Sequence, residues 1–173
     1  MKSARRKARE FAVQGLYQWQ LVQDTPPRIE QNLAETPGFT KCDLSLFRTT
    51  MYGAVKHADT LRSALQPYLD RAWDEVSPVE RGVLLVAAFE LVHMPETPYP
   101  VIINEAIELS KTFGGNEGHK FINGVLDKVL KEHVPSEGTA PTEQATESEP
   151  DVESHPSADE ESLGDPVPES TTD

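Results

Sequence analysis

The first ten residues, MKSARRKARE, hold the densest group of cationic side chains in the chain. Five of the ten are cationic, and only Glu10 opposes them. Arginine outnumbers lysine within RRKAR, and the planar guanidinium fork matches phosphate oxygens better than an ammonium does. The cluster therefore favours binding of a polyanion, with an ordinary solvated helix surface as the alternative. The five cationic residues are Lys2, Arg5, Arg6, Lys7 and Arg9.

Tyr17 places an aromatic ring on the same side of the predicted first helix. At about 100° per residue, four of the cations form a stripe along the helix, and Val13 and Tyr17 continue it. An unpaired base could stack on Tyr17, which points to single-stranded RNA rather than duplex DNA. The alternative is that Tyr17 is a core or rim aromatic. The four cations are Lys2, Arg5, Arg6 and Arg9.

The net charge of -13 conceals this basic cluster. Residues 135–173 contain twelve Asp or Glu residues and no Lys or Arg, which leaves 17 acidic and 16 basic residues in positions 1–134. The last 39 residues are rich in Pro, Ser, Thr and Glu, and they cannot bury enough apolar surface to offset the entropy of ordering. We therefore predict a folded domain over 1–134 and a disordered acidic tail over 135–173.

Signals for catalysis, metal binding or membrane insertion are weak. The five histidines are scattered without metal-ligand spacing, and Cys42 is the single cysteine. Gly114-Gly115 lacks the lysine and the spacing of a phosphate-binding loop, so we expect it to end a helix, with Asn116 capping the next one. We predict no catalytic residue, no metal, no cofactor and no membrane span, and a cytoplasmic location.

Glu90 is the one acidic residue near the end of the apolar segment VERGVLLVAAFELV. A buried carboxylate needs a partner, because burying an unpaired charge is very costly. Perturbed carboxylates also occur at catalytic sites, but internal ion pairs are the commoner cause. The segment therefore predicts a structural ion pair that involves Glu90.

Apolar residues recur at spacings of three and four throughout 1–134, which predicts an all-helical bundle of six or seven helices. The first helix ends at Asp24-Thr-Pro-Pro, a short helix covers 28–35, and a long helix follows Asp43 as far as Pro67. A capping box in Ser77-Pro78-Val79-Glu80 begins the apolar central helix. The predicted buried residues of the first helix are Ala4, Ala8, Phe11, Ala12, Gly15, Trp19 and Val22.

Four segments together resemble the NusB family of bacterial transcription antitermination factors. The resemblance spans nearly all of residues 1–134, and it implies an all-helical fold with a three-helix and a four-helix subdomain. It also implies binding of boxA RNA together with a ribosomal protein that acts as NusE. The complex would then join RNA polymerase and other Nus factors and suppress termination in ribosomal RNA operons. The segments are ARRKAREFAVQGLYQWQL, VERGVLLVAAFEL, VIINEAIELSKTFG and HKFINGVLDKVL.

The resemblance also implies positions for the binding residues. The RNA-binding helix of the family falls on Lys2, Arg5, Arg6, Lys7 and Arg9, with Tyr17 beside it. A second RNA-facing patch falls on Glu117, Lys120 and Phe121. Tyr68 and Glu80 resemble positions that face RNA or the ribosomal partner. From the residues alone, Glu80 is equally the acid of the capping box, and Phe121 is equally a core residue.

Two other functions remain alternatives at this stage. Some RNA cytosine methyltransferases begin with a NusB-like domain and continue into a large cofactor-binding domain. Only the acidic segment follows residue 134 here, so we expect no catalysis, and a regulatory domain of that kind would be non-catalytic. The other alternative is a helical protein-interaction module that does not bind RNA. A homodimer is possible in either case.

Overall fold

The computed structural model describes residues 2–113, 115 and 117–133. The described residues form seven α-helices and three short 3-10 turns, with no β-strand among them, so the predicted all-helical class is confirmed. The acidic tail, Gly114 and Asn116 lie outside the described residues. The helices are α1 (Ala4–Val22), α2 (Pro26–Ala34), α3 (Leu44–Lys56), α4 (Ala58–Leu65), α5 (Pro78–His93), α6 (Tyr99–Phe113) and α7 (Gly118–His133). The 3-10 turns are Phe39–Lys41, Gln66–Tyr68 and Trp73–Glu75.

The helices pack as two groups that share the interface between α1 and α5. The first three helices pack on one another, and α4, α6 and α7 pack around α5. Helix α5 is apolar on most sides because it has neighbours on most sides, as its sequence predicted. This arrangement agrees with the three-helix and four-helix subdomains that the family resemblance implied.

The start of α5 confirms the predicted capping box. The Glu80 amide donates to Ser77 Oγ at 3.2 Å, and the Ser77 amide donates to Glu80 Oε2 at 3.3 Å. Pro78 occupies the first helical position, where its missing N–H costs nothing. Two otherwise unpaired amides are thereby satisfied.

The long helix predicted between Asp43 and Pro67 is wrong, because the chain bends at His57. This residue has φ of -105° and ψ of 15°, and it ends α3 and begins α4. The bend packs α4 against α5. The sequence carries no break signal there, since His57 is neither proline nor glycine.

The predicted buried side of α1 is correct in the middle of the helix and wrong at its ends. Ala4 and Val22 are exposed, the latter at 66%, and Trp19 is only partly buried. Val13 was expected to continue the cationic stripe but is 1% exposed, because Gly82 of α5 approaches it closely. The correctly predicted residues are Ala8, Phe11, Ala12 and Gly15.

A polar cluster joins α2 to α3. Glu30 Oε1 accepts from Arg48 Nη2 at 2.7 Å, and Glu30 Oε2 accepts from the Tyr52 hydroxyl at 2.5 Å. The hydrogen bond from Arg48 holds the pKa of Glu30 below its ordinary value. Burial, followed by the hydrogen bond to Glu30, raises the pKa of Tyr52 to about 12.

The lowered pKa of Glu30 predicts a loss of stability in acid. The ionised carboxylate stabilises the folded state above the unfolded-state pKa, and this contribution disappears as the pH falls through the lower folded-state pKa. Glu30→Gln should therefore lower the free energy of unfolding by about 1 kcal/mol at pH 7. Thermal melts from pH 7 to pH 3 should show the difference between variant and parent shrinking below pH 4.5, the ordinary value. A difference that stays constant across this range would contradict the assignment.

Candidate nucleic-acid interface

An N-cap fixes the start of helix α1 and therefore the orientation of its basic first turns. Ser3 is the N-cap, and its Oγ accepts a hydrogen bond from the Arg6 amide at 3.1 Å. Helix N-termini carry partial positive charge from unpaired amides, which adds to the positive potential of nearby cations. The first two turns of α1 therefore present their side chains from a rigid and electropositive backbone.

Arg9 does not lie on the exposed cationic stripe, so this part of the prediction is wrong. The residue is 3% exposed, and its guanidinium forms a bidentate pair with the Glu90 carboxylate, with Nε–Oε1 at 2.7 Å and Nη2–Oε2 at 2.8 Å. Glu90 is 1% exposed, which confirms the predicted ion pair. The helical wheel places any arginine with the polar residues, and it cannot detect a carboxylate 81 residues away in the chain.

The Arg6 side chain is paired with acidic residues within the protein and also remains partly exposed to solvent. Its Nε and Nη2 donate to the Glu105 carboxylate at 3.0 and 2.8 Å, and Nη1 lies 3.9 Å from Glu108. The hydrogen bond to Glu105 raises the pKa of Arg6. The Arg6 side chain keeps 31% exposure, so its outer edge remains accessible to a ligand.

The remaining three cations of the opening cluster differ in accessibility. Lys2 is 47% exposed at its side chain and pairs with Glu10 at 2.5 Å. Arg5 is exposed and Lys7 is half-buried, and no residue in the described part of the chain forms a hydrogen bond or ion pair with either side chain. The accessible basic patch is therefore Lys2 and Arg5, with Arg6 and Lys7 at its edge, and we call it the amino-terminal patch.

Tyr17 lies about 18 Å further along α1 from Arg5, at 1.5 Å per residue. The residue is 40% exposed and borders an open cavity of about 380 Å³. The cavity is mainly apolar, with Val13, Val79 and Phe113 in its lining. Leu21, one turn beyond Tyr17, is 58% exposed. An aromatic ring beside exposed apolar surface suits either a nucleic-acid base or an apolar protein segment.

The residues of the second predicted patch lie at the start of α7. Lys120 Nζ pairs with Glu117 at 2.8 Å, and both side chains are mostly exposed. Phe121 is half-buried and borders a cavity of about 190 Å³. The Arg71 guanidinium lies over the Phe121 ring, 4.8 Å from its centroid. Arg71 was not predicted as part of this patch, because it is distant from Phe121 in the chain.

Tyr68 and Glu80 are both tied into the protein. Tyr68 is 8% exposed and its hydroxyl donates to Glu132 Oε2 at 2.5 Å, which raises the pKa of Tyr68. Glu80 is half-buried and accepts from Ser77 through its Oε2 atom. Its Oε1 atom lies close to Gly118 at the start of α7. Each residue therefore has a structural role in addition to any contact with a partner.

Two further observations concern metal binding and membrane insertion of the described residues. No group of three or more His, Cys, Asp or Glu side chains converges in a metal-binding arrangement within the described part of the chain. None of the described helices is both long and apolar enough to cross a membrane. The fold, the amino-terminal patch and the aromatic residues that border two cavities are typical of an all-helical nucleic-acid-binding protein.

Comparison with known proteins identifies the family. The NusB family model matches residues 6–131. A transcription antitermination protein NusB from Chromobacterium violaceum is 60% identical over 133 residues, which cover 76% of this chain and 89% of that protein. A NusB structure from T. maritima is 28% identical with a TM-score of 0.68, and the match covers 78% of this chain and 96% of that one. The chain belongs to the NusB family.

A second solved structure shows what a similar chain assembles with. It is a crystal structure of the antitermination factors NusB and NusE in complex with dsRNA. The matched chain is 25% identical to this one with a TM-score of 0.70, and the match covers 77% of this chain and 100% of that chain.

Proposed function

We propose that this protein is an RNA-binding transcription antitermination factor. It binds boxA-type single-stranded RNA together with the ribosomal protein that acts as NusE, and it helps RNA polymerase to read through terminators in ribosomal RNA operons. The observation that carries the proposal is the amino-terminal patch, where the exposed Arg5 side chain forms no hydrogen bond or ion pair with a described residue. Membership of the NusB family and the similar chain solved with NusE and dsRNA support it.

The amino-terminal patch supplies the phosphate contacts. Lys2 and Arg5 are exposed and Lys7 is half-buried, whereas Arg6 contributes the edge of a guanidinium already oriented by Glu105. Contacts to three or four phosphates of a single strand give a slope of about -2 to -3 in a plot of log affinity against log salt concentration. Arg9 takes no part in this contact and instead holds α1 against α5.

The second patch and the Tyr17 cavity supply the remaining contacts. Phe121 under Arg71, with Lys120 beside it, offers a base an aromatic and cationic stacking surface. Tyr17 and Leu21 offer the ribosomal partner an exposed apolar surface at the other end of α1. Val79, which precedes Glu80 in α5, lines the same cavity as Tyr17.

The protein acts by assembly rather than by catalysis, in the cytoplasm where transcription occurs. RNA and NusE, which bind to different surfaces of the same fold, strengthen each other by linkage, and the complex then joins RNA polymerase and other Nus factors. The folded RNA-binding domain covers 1–134, and 135–173 form an acidic extension.

Charge reversal in the amino-terminal patch tests the proposal. Lys2→Glu with Arg5→Glu should weaken binding of a boxA oligonucleotide on the order of 100-fold at 0.1 M salt, and the salt slope should become shallower. The matched control is Arg28→Glu with Lys56→Glu, which changes the net charge equally at two exposed positions on α2 and α3. Fluorescence anisotropy with boxA, scrambled and duplex RNA, with and without NusE, measures the effect.

The control variant distinguishes the loss of a localised RNA-binding surface from a general effect of the changed net charge. The control variant should bind RNA within about threefold of the parent, since long-range effects of exposed charges are screened at this salt. Equal losses in the two variants would contradict a localised RNA site. Equal affinity for boxA and scrambled RNA, both with and without NusE, would refute the specific function.

A further inference from the structure

Three arginines in the first turns of α1 differ in how firmly the protein holds them. Arg9 is buried in its ion pair with Glu90, and Arg5 is exposed without an ion-pair partner among the described residues. Arg6 differs from both, because it is partly exposed and its hydrogen bonds come from one side only. Arg6 is therefore ordered and accessible at the same time.

The hydrogen bonds of Arg6 use one edge of its guanidinium group. Nε and Nη2 donate to the two oxygens of the Glu105 carboxylate at 3.0 and 2.8 Å, whereas Nη1 donates no hydrogen bond to a described residue. A guanidinium group carries its N–H donors in a rigid plane, so a pair along one edge fixes the direction of the donors that remain free. Donors oriented in this way suit the oxygens of a phosphate.

Glu105 is itself held in place by the helices around it. Its side chain is 16% exposed, and it borders a small crevice between α1, α5 and α6 together with Arg9 and Glu90. Ala106, the next residue of α6, is 2% exposed, so α6 is packed against the core at this level. The Glu105 carboxylate therefore has little freedom to move, and it fixes the Arg6 guanidinium relative to the start of α1.

Glu108 makes a different contact with the same guanidinium. Its Oε2 lies 3.9 Å from Arg6 Nη1, which is beyond hydrogen-bonding distance, and its Oε1 accepts from Lys111 Nζ at 3.2 Å. The Glu108 side chain is 43% exposed. Glu108 is therefore an acidic neighbour of Arg6 that adds negative charge without orienting the guanidinium.

We propose that Glu105 is a positioning residue for RNA binding, which holds the Arg6 guanidinium so that its free donors face a phosphate of the bound strand. The inference rests on the proposed function, because it assigns a role within the same RNA-binding surface. A long side chain loses rotamer freedom when a ligand fixes it, and this loss weakens binding. The ion pair with Glu105 removes much of that loss before the RNA binds.

The charge of Glu105 alone predicts the opposite effect on RNA affinity. A carboxylate beside a phosphate-binding surface repels the ligand, so its removal should strengthen binding if the orientation of Arg6 did not matter. The sign of the change in affinity therefore distinguishes a positioning residue from an acidic neighbour of the amino-terminal patch.

Substitution of Glu105 tests the inference in the full-length chain. Glu105→Asp keeps the charge but withdraws the carboxylate by about 1.5 Å, one carbon–carbon bond, so that it no longer reaches both nitrogens. Glu105→Asp and Glu105→Gln should each weaken binding of a single-stranded boxA oligonucleotide about fivefold, the size expected when binding must fix one more long side chain. The matched control is Glu108→Gln, which removes the same charge from the same helix and should bind RNA at least as tightly as the parent does.

A double-mutant cycle separates orientation of Arg6 from a structural role of Glu105. Arg6→Gln should itself weaken RNA binding, and Glu105→Gln should have no further effect in that background, because no guanidinium remains to be oriented. A structural role of Glu105 would lower the affinity equally in both backgrounds. Fluorescence anisotropy without NusE measures the affinities, and thermal melts identify any variant that is not folded.

Each outcome has a separate meaning for this inference and for the proposed function. Unchanged or tighter RNA binding in Glu105→Asp and Glu105→Gln would show that Glu105 does not position Arg6 and would overturn the inference. Equal losses with and without Arg6 would overturn it as well. In both cases the parent still binds RNA, so the proposed function stands. Failure of the parent to bind the boxA oligonucleotide would overturn both.

Discussion

Replacement of Arg9 with methionine is expected to lower the free energy of unfolding by about 3–5 kcal/mol. The Glu90 carboxylate is 1% exposed and would remain buried without the guanidinium that now satisfies both of its oxygens. The pair also joins α1 to α5, so its loss weakens the interface between the two helical groups. Urea denaturation at pH 7, followed by circular dichroism, measures the change.

Two further variants show whether the cost comes from an unpaired charge. Arg9→Met combined with Glu90→Leu should recover much of the loss, because an apolar pair of similar volume leaves no charge unpaired. Arg5→Met changes the same residue type in the same helix at an exposed position, and it should alter stability by no more than about 0.5 kcal/mol. A loss of RNA binding in folded Arg9→Met, with stability unchanged, would show that Arg9 contacts RNA instead.

Gly53→Ala is expected to destabilise the protein by about 1–3 kcal/mol, through overpacking of the contact between α3 and α5. A Cβ atom at position 53 would overlap the ring of Phe89, which lies directly against the glycine backbone. The ring is 6% exposed and its movement would disturb the core around it. Thermal and urea denaturation should both show the loss.

The controls for this contact use a second glycine and the aromatic ring itself. Gly124 on α7 has no atom within 4 Å of the position that a Cβ would occupy, so Gly124→Ala should be neutral or stabilise the helix by up to about 1 kcal/mol. Phe89→Leu should make Gly53→Ala less costly, because the smaller side chain frees space. Additive effects of these two substitutions would argue against a direct clash.

Several features of the fold were readable from short segments of sequence. Ser77 and Glu80 predicted the start of α5, because a capping box depends on residues three apart and requires nothing distant. The recurrence of apolar residues predicted the all-helical class and the middle of the buried side of α1. The isolation of Glu90 in an apolar segment predicted an ion pair, although not which residue completes it.

The candidate site was only partly predictable, because sequence patterns report on residues that are close together in the chain. The basic cluster and Tyr17 were visible in the sequence, and the family resemblance supplied Glu117, Lys120 and Phe121. Neither approach separated Arg9 from its exposed neighbours. Helical periodicity shows which side of a helix is apolar, but it does not show where along the helix the neighbouring elements stop covering it. Val22, at the end of α1, was therefore wrongly expected to be buried.

By itself, the sequence determined the helical class, the helix starts that carry caps, the concentration of positive charge at the beginning and the family. Only the tertiary structure decided that Arg9 is a structural residue and that Arg5 is exposed without an ion-pair partner among the described residues. It also decided that Glu105 of α6 holds Arg6. The physical reason is that caps and periodicity act over a few residues, whereas the role of a charged side chain depends on whether an opposite charge reaches it from a distant helix.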